Sequence, residues 1–560
     1  MADAFRAYSA LSASSPRSDV QDVLQAIIDA PPFALEPTSR GELIQVLLKD
    51  IKLAGPKSRL TSKESAQALL AVKTLGKVPR GSEYLGSPSG LSSLLSISIG
   101  CKDDMEASCE ALRCIANTML LYDQARATFT SKDVTGGDVV VAMLNKATNP
   151  EYIFILARIL FLATASRSPY IVSLVEEKHH GRTIIEIISN KLDVTMGSLL
   201  AGHKSAKEAM TDLLKFAFNI LFFYPKLTNA NGDWSPRLDG ILPPLLRVYF
   251  ALPPTFPVPL MAPLTHVIHS LITIPINRQL RPVWFGVPSS GRRMSSGHPP
   301  PPRPFTAHGR LSSPTPPTSF PNSRHSFSMS IDASTNGKQR TIDRALSVLS
   351  AGKRSLSRSP SPIPNLRPDV VQRTQDLLEI CFAYYFPDGS LETKTNNEIE
   401  ETLSPLLTLL TRLCRADTVT RQRISDWIVP PNLDRHRPLE TRPDFLGKCL
   451  RLLQGHGRLK DSVGELLYAM CGEDAWVLST KVGYGNVAGF LFSKGVLTAP
   501  PPPEGEGRIN PMTGTYAPAQ QPPNPADEMT EEEKEQEMEK LFVLFDRLER
   551  AGPGPRPKVK

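Results

Sequence analysis

"EALRCIANTML", residues 110–120, is the stretch that decides how this chain folds. Its apolar residues (Ala111, Leu112, Cys114, Ile115, Ala116, Met119 and Leu120) leave only a narrow polar line through Arg113 and Asn117. A helix on the surface of a globular domain shows one apolar stripe, whereas this one is apolar almost all round. The same texture returns in "LARILFLATAS" (156–166), "LKFAFNILFFY" (214–224) and "VGELLYAMCGE" (463–473). One such helix cannot cover its own faces, but stacked neighbours can. Recurrence every few dozen residues therefore predicts an all-α fold, an armadillo- or HEAT-like α-solenoid. The spacing is irregular, so a large irregular helical domain is the competing reading; self-similarity favours the solenoid. Elsewhere, "SKESAQALLAVKTLGK", "VVQRTQDLLEICFAYYF" and "NNEIEETLSPLLTLLTRLCRA" carry helical periodicity, and no run of alternating residues reads as a strand.

The 560 residues are 41% hydrophobic and 21% charged, enough to build a large core. The net charge of +8 is misleading. Residues 286–365 hold 11 Lys/Arg against 2 Asp/Glu, a net +9, and the remainder is close to neutral. This segment, with "GHPPPPRPFTAHGRLSSPTPPTSFPNSRHSFSMS", is too poor in large apolar residues to offset its ordering entropy, and a disordered insert is expected. Three phenylalanines (Phe305, Phe320 and Phe327) are thin aromatic interleaving, so a solvated tether is expected rather than a nucleic-acid site. Ser357, Ser359 and Ser361 in "KRSLSRSPSP" are candidates for phosphorylation. The chain divides into 1–285, the first part of the solenoid; 286–365, the insert; 366–497, the second part; 498–529, a disordered Pro-rich linker; 530–550, an amphipathic helix; and 551–560, a tail. In the amphipathic segment Thr530 and Glu533 have capping-box spacing, and Met538, Leu541, Phe542, Phe545 and Leu548 share one face.

Seven cysteines form no C-x-x-C pair and are odd in number, which predicts buried reduced thiols and an intracellular compartment. "MADAFRAYSALSASS" lacks the layout of a secretory signal. Residues 248–277 carry no Asp, Glu, Lys or Arg, but six prolines and two histidines argue for a loop and a buried helix rather than a membrane span.

No catalytic constellation, cofactor loop or metal set is read from the sequence. There is no G-x-x-x-x-G-K-[ST] and no G-x-S-x-G. His266 and His269 are three apart on a helical pattern, with no further ligand nearby, and read as core or rim histidines. Gly483, Gly485 and Gly489 have phosphate-loop-like spacing, yet what precedes them is a helix and not a buried strand. They read as a corner between helices, with Gly483 ending one, Asn486 capping the next and Gly495 stopping it.

"GYGNVAGFLFSKGVL" (483–497) also resembles a signature of the synembryn family, the non-receptor exchange factors and chaperones of heterotrimeric G-protein α subunits. "ALLAVKTLGK", "CEALRCIANTML", "RILFLATASR", "LLKFAFNILFFYPKL", "VGELLYAMCGE", "RINPMTG" and "PPNPADEMTEEEKEQEMEKLFVLFDRLER" are similar to family segments in the same order. The resemblance covers nearly the whole chain except the insert, which departs from the animal pattern and suggests a fungal-type member. It implies an armadillo/HEAT-like superhelix that binds the GDP-loaded α subunit, promotes GDP release and holds the nucleotide-free form. It also implies help in folding new α subunits. The concave face would grip the α subunit's C-terminal helix, with Lys73 and Lys77, one helical turn apart, and Asn117 in the groove. Arg113 and Asn219 are added from their place in the repeat. Phe542 and Phe545 would contact the nucleotide-binding domain. The implied protein is a cytoplasmic monomer, recruited to the plasma membrane through the α subunit, with no nucleic-acid partner, no membrane span and no enzymatic side chain. The acidic serine sites of casein-kinase type are missing, since "TAPPPPEGEGRINPM" has no serine. The competing function is an armadillo-type cargo or scaffold adaptor. Its usual ladder of groove tryptophans is not matched by Trp234, Trp284, Trp427 and Trp476, which show no regular spacing.

Overall fold

The structure is a computed structural model. It describes residues 3–31, 33–101, 103–286, 369–387, 396–455, 458–496 and 509–516. Among these residues the regular structure is helical, and β pairing is confined to two isolated bridges, His179 with Arg182 and Ile509 with Tyr516. The insert, Ser357, Ser359, Ser361 and the terminal segment with Thr530, Glu533, Phe542 and Phe545 lie outside the described residues.

The four helices that are apolar on several sides lie in one row with others that are amphipathic. Labelled in chain order the row is α1 (Arg17–Asp29), α2 (Ser65–Leu75), α3 (Met105–Leu121), α4 (Pro150–Ala163), α5 (Ala206–Thr228), α6 (Leu264–Thr273), α7 (Asn396–Ala416) and α8 (Leu459–Met470). Each packs on the next, and α9 (Tyr484–Ser493) closes the row against α8. A second row runs alongside through Pro37–Lys52, Pro88–Gly100, Gly136–Lys146, Ile184–Leu200, Leu242–Ala251 and Val370–Tyr385, again each against the next. This is the stacking of an α-solenoid, and one continuous core runs through it from Tyr8 to Leu491.

Local chemistry fixes the helix starts. Asp104 accepts the Ala107 amide at the start of α3, and Asn149 accepts the Glu151 and Tyr152 amides at the start of α4, where Pro150 takes the first position. The α2 and α3 flanks meet through Leu69 and Cys114, and every cysteine is a free thiol, all buried except half-buried Cys101. Within residues 248–277 the chain forms, as expected, a loop after Leu242–Ala251 followed by the buried helix α6, and no helix of the described residues is long and apolar enough to cross a membrane.

The stack runs straight across the insert. The Tyr249 hydroxyl lies 2.9 Å from Thr374 Oγ1 inside the core. Arg373 donates to the Leu252 carbonyl at 2.6 Å, and Arg412 of α7 donates to the Ile274 carbonyl beyond the end of α6 at 2.9 Å. The helix Thr418–Ile428 holds both edges of the interruption. Asp417 at its start pairs with Arg281, and Arg423 within it pairs with Asp369 at 2.6 Å.

Two details at the C-terminal end differ from the sequence reading. Asn486 does not cap α9, because its amide donates to the Val482 carbonyl at 2.7 Å. The first amides of α9 go instead to residues 509–516, part of the stretch expected to be a disordered Pro-rich linker: Tyr484 N donates to Pro511 O at 2.8 Å and Gly485 N to Met512 O at 2.9 Å. Gly483 and Gly495 do separate and stop helices, with φ of 86° and 83°. The physical reason for Gly483 and Gly485 is thus a backbone that must accept another backbone, not a phosphate.

Candidate functional site: the open face of the helix row

Each helix of the row is covered by its two neighbours and by the second row, which leaves one side open. The positions on that side repeat at i, i+3 and i+7, the spacing that lines one helix face. On α3 they are Glu110, Arg113 and Asn117; on α4, Glu151, Phe154 and Arg158; on α5, Lys215, Phe218 and Phe222. Lys73 of α2 and the pair His266 and His269 of α6 extend the line.

Ion pairs stitch these helices together. Lys73 of α2 binds Glu110 of α3 at 2.5 Å, and Arg113 bridges Glu110 and Glu151 of α4. Burial alone would lower the Arg113 pKa, but the Glu110 and Glu151 carboxylates more than offset it and raise it. Arg158 Nε reaches Asp212 of α5 at 2.8 Å, and Lys215 reaches the same carboxylate at 3.6 Å. At the far end Arg415 of α7 holds Glu465 of α8 and Glu473, and Lys494 joins Glu465.

The centre is aromatic. Phe218 stacks on Phe222 with centroids 5.4 Å apart, and Phe218 lies 6.4 Å from the His269 ring. Cations roof the rings: Arg158 is 4.6 Å from the Phe154 centroid and Lys226 is 3.2 Å from that of Phe222. Phe222 is 37% exposed, a large ring kept partly in water. His266 is pushed down to about 4 by burial, then by Lys215 and His269, and burial lowers His269 too. Both imidazoles are therefore neutral at pH 7 and serve as rim groups of this face. Among the described residues no group of three or more His, Cys, Asp or Glu could hold a metal ion.

The sequence candidates separate in the structure. Lys73, Arg113 and Asn117 lie on the open face. Asn117 is half-buried and, among the described residues, makes no hydrogen bond, so its amide is available there. Lys77 does not share a helical face with Lys73, because α2 ends at Leu75 with Gly76 as its cap; Lys77 is exposed in the turn that follows. Asn219 is 6% exposed and faces inward. Its amide nitrogen donates to the Phe161 carbonyl at 3.1 Å and lies 3.2 Å from Thr164 Oγ1, so it seals the end of α4. Sequence reasoning missed Glu110, Glu151, Arg158 and the aromatic centre.

Comparison with known proteins shows the family. The chain is similar to Chaperone Ric-8A of Xenopus tropicalis, 35% identical over 174 residues, which is 28% of this chain and 31% of that protein. It is similar to Chaperone Ric-8A of Danio rerio, 33% over 171 residues, 28% of this chain and 31% of that protein. It is also similar to Chaperone Ric-8A of Macaca fascicularis, 31% over 174 residues, 28% and 32% of the two chains. The match spans about a third of the length of these relatives. A family model covers far more, residues 68–553. With a helix row and an ordered segment series that both agree, the chain belongs to the family described as guanine nucleotide exchange factor synembryn, Ric8.

Proposed function

We propose that this protein is a non-receptor exchange factor and folding chaperone for heterotrimeric G-protein α subunits, and that it grips the α subunit's C-terminal helix on the open face of the row. The observation that carries the reading is the aromatic centre around Phe218 and Phe222, flanked by ion-paired ends. An amphipathic helix laid in a groove buries its apolar side on such a centre and meets polar groups at the edges. Lys73, Lys77 and the Asn117 amide suit the C-terminal end of a docked helix, which carries partial negative charge. Membership of the family supplies the rest of the reading.

Exchange of this kind uses no catalytic side chain and no cofactor. A protein that binds the empty α subunit better than the GDP-loaded one must weaken GDP binding by the same factor. Withdrawal of one helix is a sufficient two-state element. The protein would act as a monomer in the cytoplasm, reaching the membrane through its partner and using no nucleic acid. Gel filtration of the full chain with a GDP-loaded α subunit, with and without a GTP analogue, tests this. We expect a complex without added nucleotide that the GTP analogue dissolves. A complex equally stable with the analogue overturns the exchange reading.

A further inference from the structure

The second-row helices end, and the first-row helices that follow them begin, on one edge of the stack. The turns after Lys52, Gly100, Lys146, Leu200 and Ala251 therefore lie along that edge. The first two share a cavity lined by Ala54, Ser62, Gly100 and Cys101, which sets them side by side. Large apolar side chains stand out from this edge. Leu53, Ile99, Met105, Leu200 and Met261 are exposed, and Phe256 is 93% exposed. Packed helix axes are roughly 10 Å apart, so the line from Leu53 to Phe256 runs over four steps, roughly 40 Å.

The turn that carries Phe256, residues 252–263, suits an apolar medium. It holds no charged residue. Pro253, Pro254, Pro257, Pro259 and Pro263 bring no N–H that would have to leave water. The Thr255 amide donates to the Pro259 carbonyl at 3.0 Å, and the Thr255 hydroxyl donates to the Val258 carbonyl, so the turn closes on itself. An unpaired backbone donor is costly in hydrocarbon, and this turn has few to lose. Leu252 and Leu260, both buried, root it in the core and leave Phe256 at the tip. Around the other tips the charge is basic. Lys57, Lys63, Lys146, Lys204 and Lys207 are exposed and pair with no carboxylate among the described residues. The exposed acids beside them that are likewise unpaired, Asp103, Glu106 and Glu208, are fewer. The opposite edge also exposes Phe33 and Leu120, but there Glu83, Asp123 and Asp133 are exposed among the turns.

We propose that this edge docks on an anionic lipid bilayer, with Phe256 and Leu200 entering the headgroup layer and the lysines resting on lipid phosphates. The protein then has a lipid contact of its own, beyond the exchange reading and independent of it. A protein interface is built round a contiguous packed core, and these side chains stand singly on separate turns. A fluid bilayer admits such separate tips between its headgroups, and its negative surface attracts the unpaired lysines.

The test is co-sedimentation of the full chain with vesicles of phosphatidylcholine alone and of phosphatidylcholine mixed with phosphatidylserine. Wild type should bind the mixed vesicles, and added salt should weaken that binding. Phe256→Ser should weaken it roughly fivefold or more, because one ring no longer leaves water. Lys204→Glu with Lys207→Glu should weaken it roughly tenfold, through the lost attraction to the anionic surface. Leu120→Ser, on the opposite edge, should leave it unchanged. All of these side chains are exposed, so the variants keep the fold. The basic insert is common to every variant, so the differences between them report on this edge. Wild type that ignores the mixed vesicles overturns the proposal. So does equal binding by wild type and Phe256→Ser, or a loss in Leu120→Ser as large as that in Phe256→Ser. Phe256→Ser that loses the α subunit in solution yet keeps the vesicles would give the edge to a protein partner and overturn the lipid reading as well.

Discussion

Replacing Asn219 by Ala should cost stability, whereas replacing Asn117 by Ala should cost binding. The two amides stand on α3 and α5, either side of α4 in the row, and the sequence offers both as contacts. In the structure Asn219 is buried and bonds the Phe161 carbonyl and Thr164 Oγ1. Phe161 belongs to the last turn of α4, where carbonyls have no partner within the helix. Truncation to Ala removes two hydrogen bonds of about 0.5–1.5 kcal/mol each, so Asn219→Ala should destabilise by about 1–3 kcal/mol. A solenoid passes such a loss to the interfaces on either side, here α4 with α5. Asn117→Ala removes a side chain with no internal hydrogen bond among the described residues and should change stability by less than about 0.5 kcal/mol. One hydrogen bond lost to a docked helix would weaken peptide affinity roughly 2- to 10-fold. Urea unfolding followed by circular dichroism gives the first quantity. Fluorescence anisotropy with a peptide of the α subunit's C-terminal helix gives the second. Asn219→Ala with unchanged stability and lost peptide binding would refute the assignment of the two amides.

The remaining expectations concern charge, pH and the insert. Lys73→Glu sets a second carboxylate beside the mostly buried Glu110; it should lower stability by more than the roughly 1 kcal/mol of an exposed pair while also weakening peptide binding, and unaltered affinity would leave Lys73 a purely structural partner. Lys77→Glu should weaken the peptide with no shift in the melting curve, since Lys77 is exposed beyond the helix. His266, held near 4 in the fold by burial, Lys215 and His269, has its proton favoured in the unfolded chain below its ordinary value of 6.5. Its contribution to stability is present above pH 6.5 and is lost as pH falls toward 4. His266→Phe should therefore flatten the urea midpoint between pH 6.5 and 5, and an identical pH profile would sink that account. Deleting residues 290–360 should preserve helicity and nucleotide exchange, because the Tyr249–Thr374 contact joins the halves directly; lost exchange with preserved helicity would show that the insert contributes.

The solenoid was legible because α3, α4, α5 and α8 are apolar on several sides, a texture only stacked helices produce. The candidate site was legible only in part. Lys77 was misplaced because "VKTLGK" looks like an unbroken turn; Gly76 was the signal that α2 stops there. Asn219 and Asn117 cannot be told apart by periodicity, because the difference is Thr164 on another helix. The aromatic centre did carry a signal. Phe218 and Phe222 are one turn apart, with Lys226 a further turn on, a line too wet for a core. The docked turn was hidden by its Pro-rich surroundings, although Asn510, Pro511 and Gly514 are turn residues at turn spacing.

The clamp on the interruption has a consequence for how this fold tolerates added chain. Arg281 and Asp369 are both held by residues 417–428, so the points where residues 287–368 depart and return are pinned by a single helix. The entropy of closing a loop between two such fixed posts grows only with the logarithm of its length. Doubling the length adds just about 0.6 kcal/mol. Evolution could therefore lengthen, shorten or rewrite this excursion at almost constant thermodynamic load. The register of the stack is set by the buried contacts across the gap, Tyr249 with Thr374 and Arg412 with the Ile274 carbonyl, while the two salt bridges only hold the neck of the excursion.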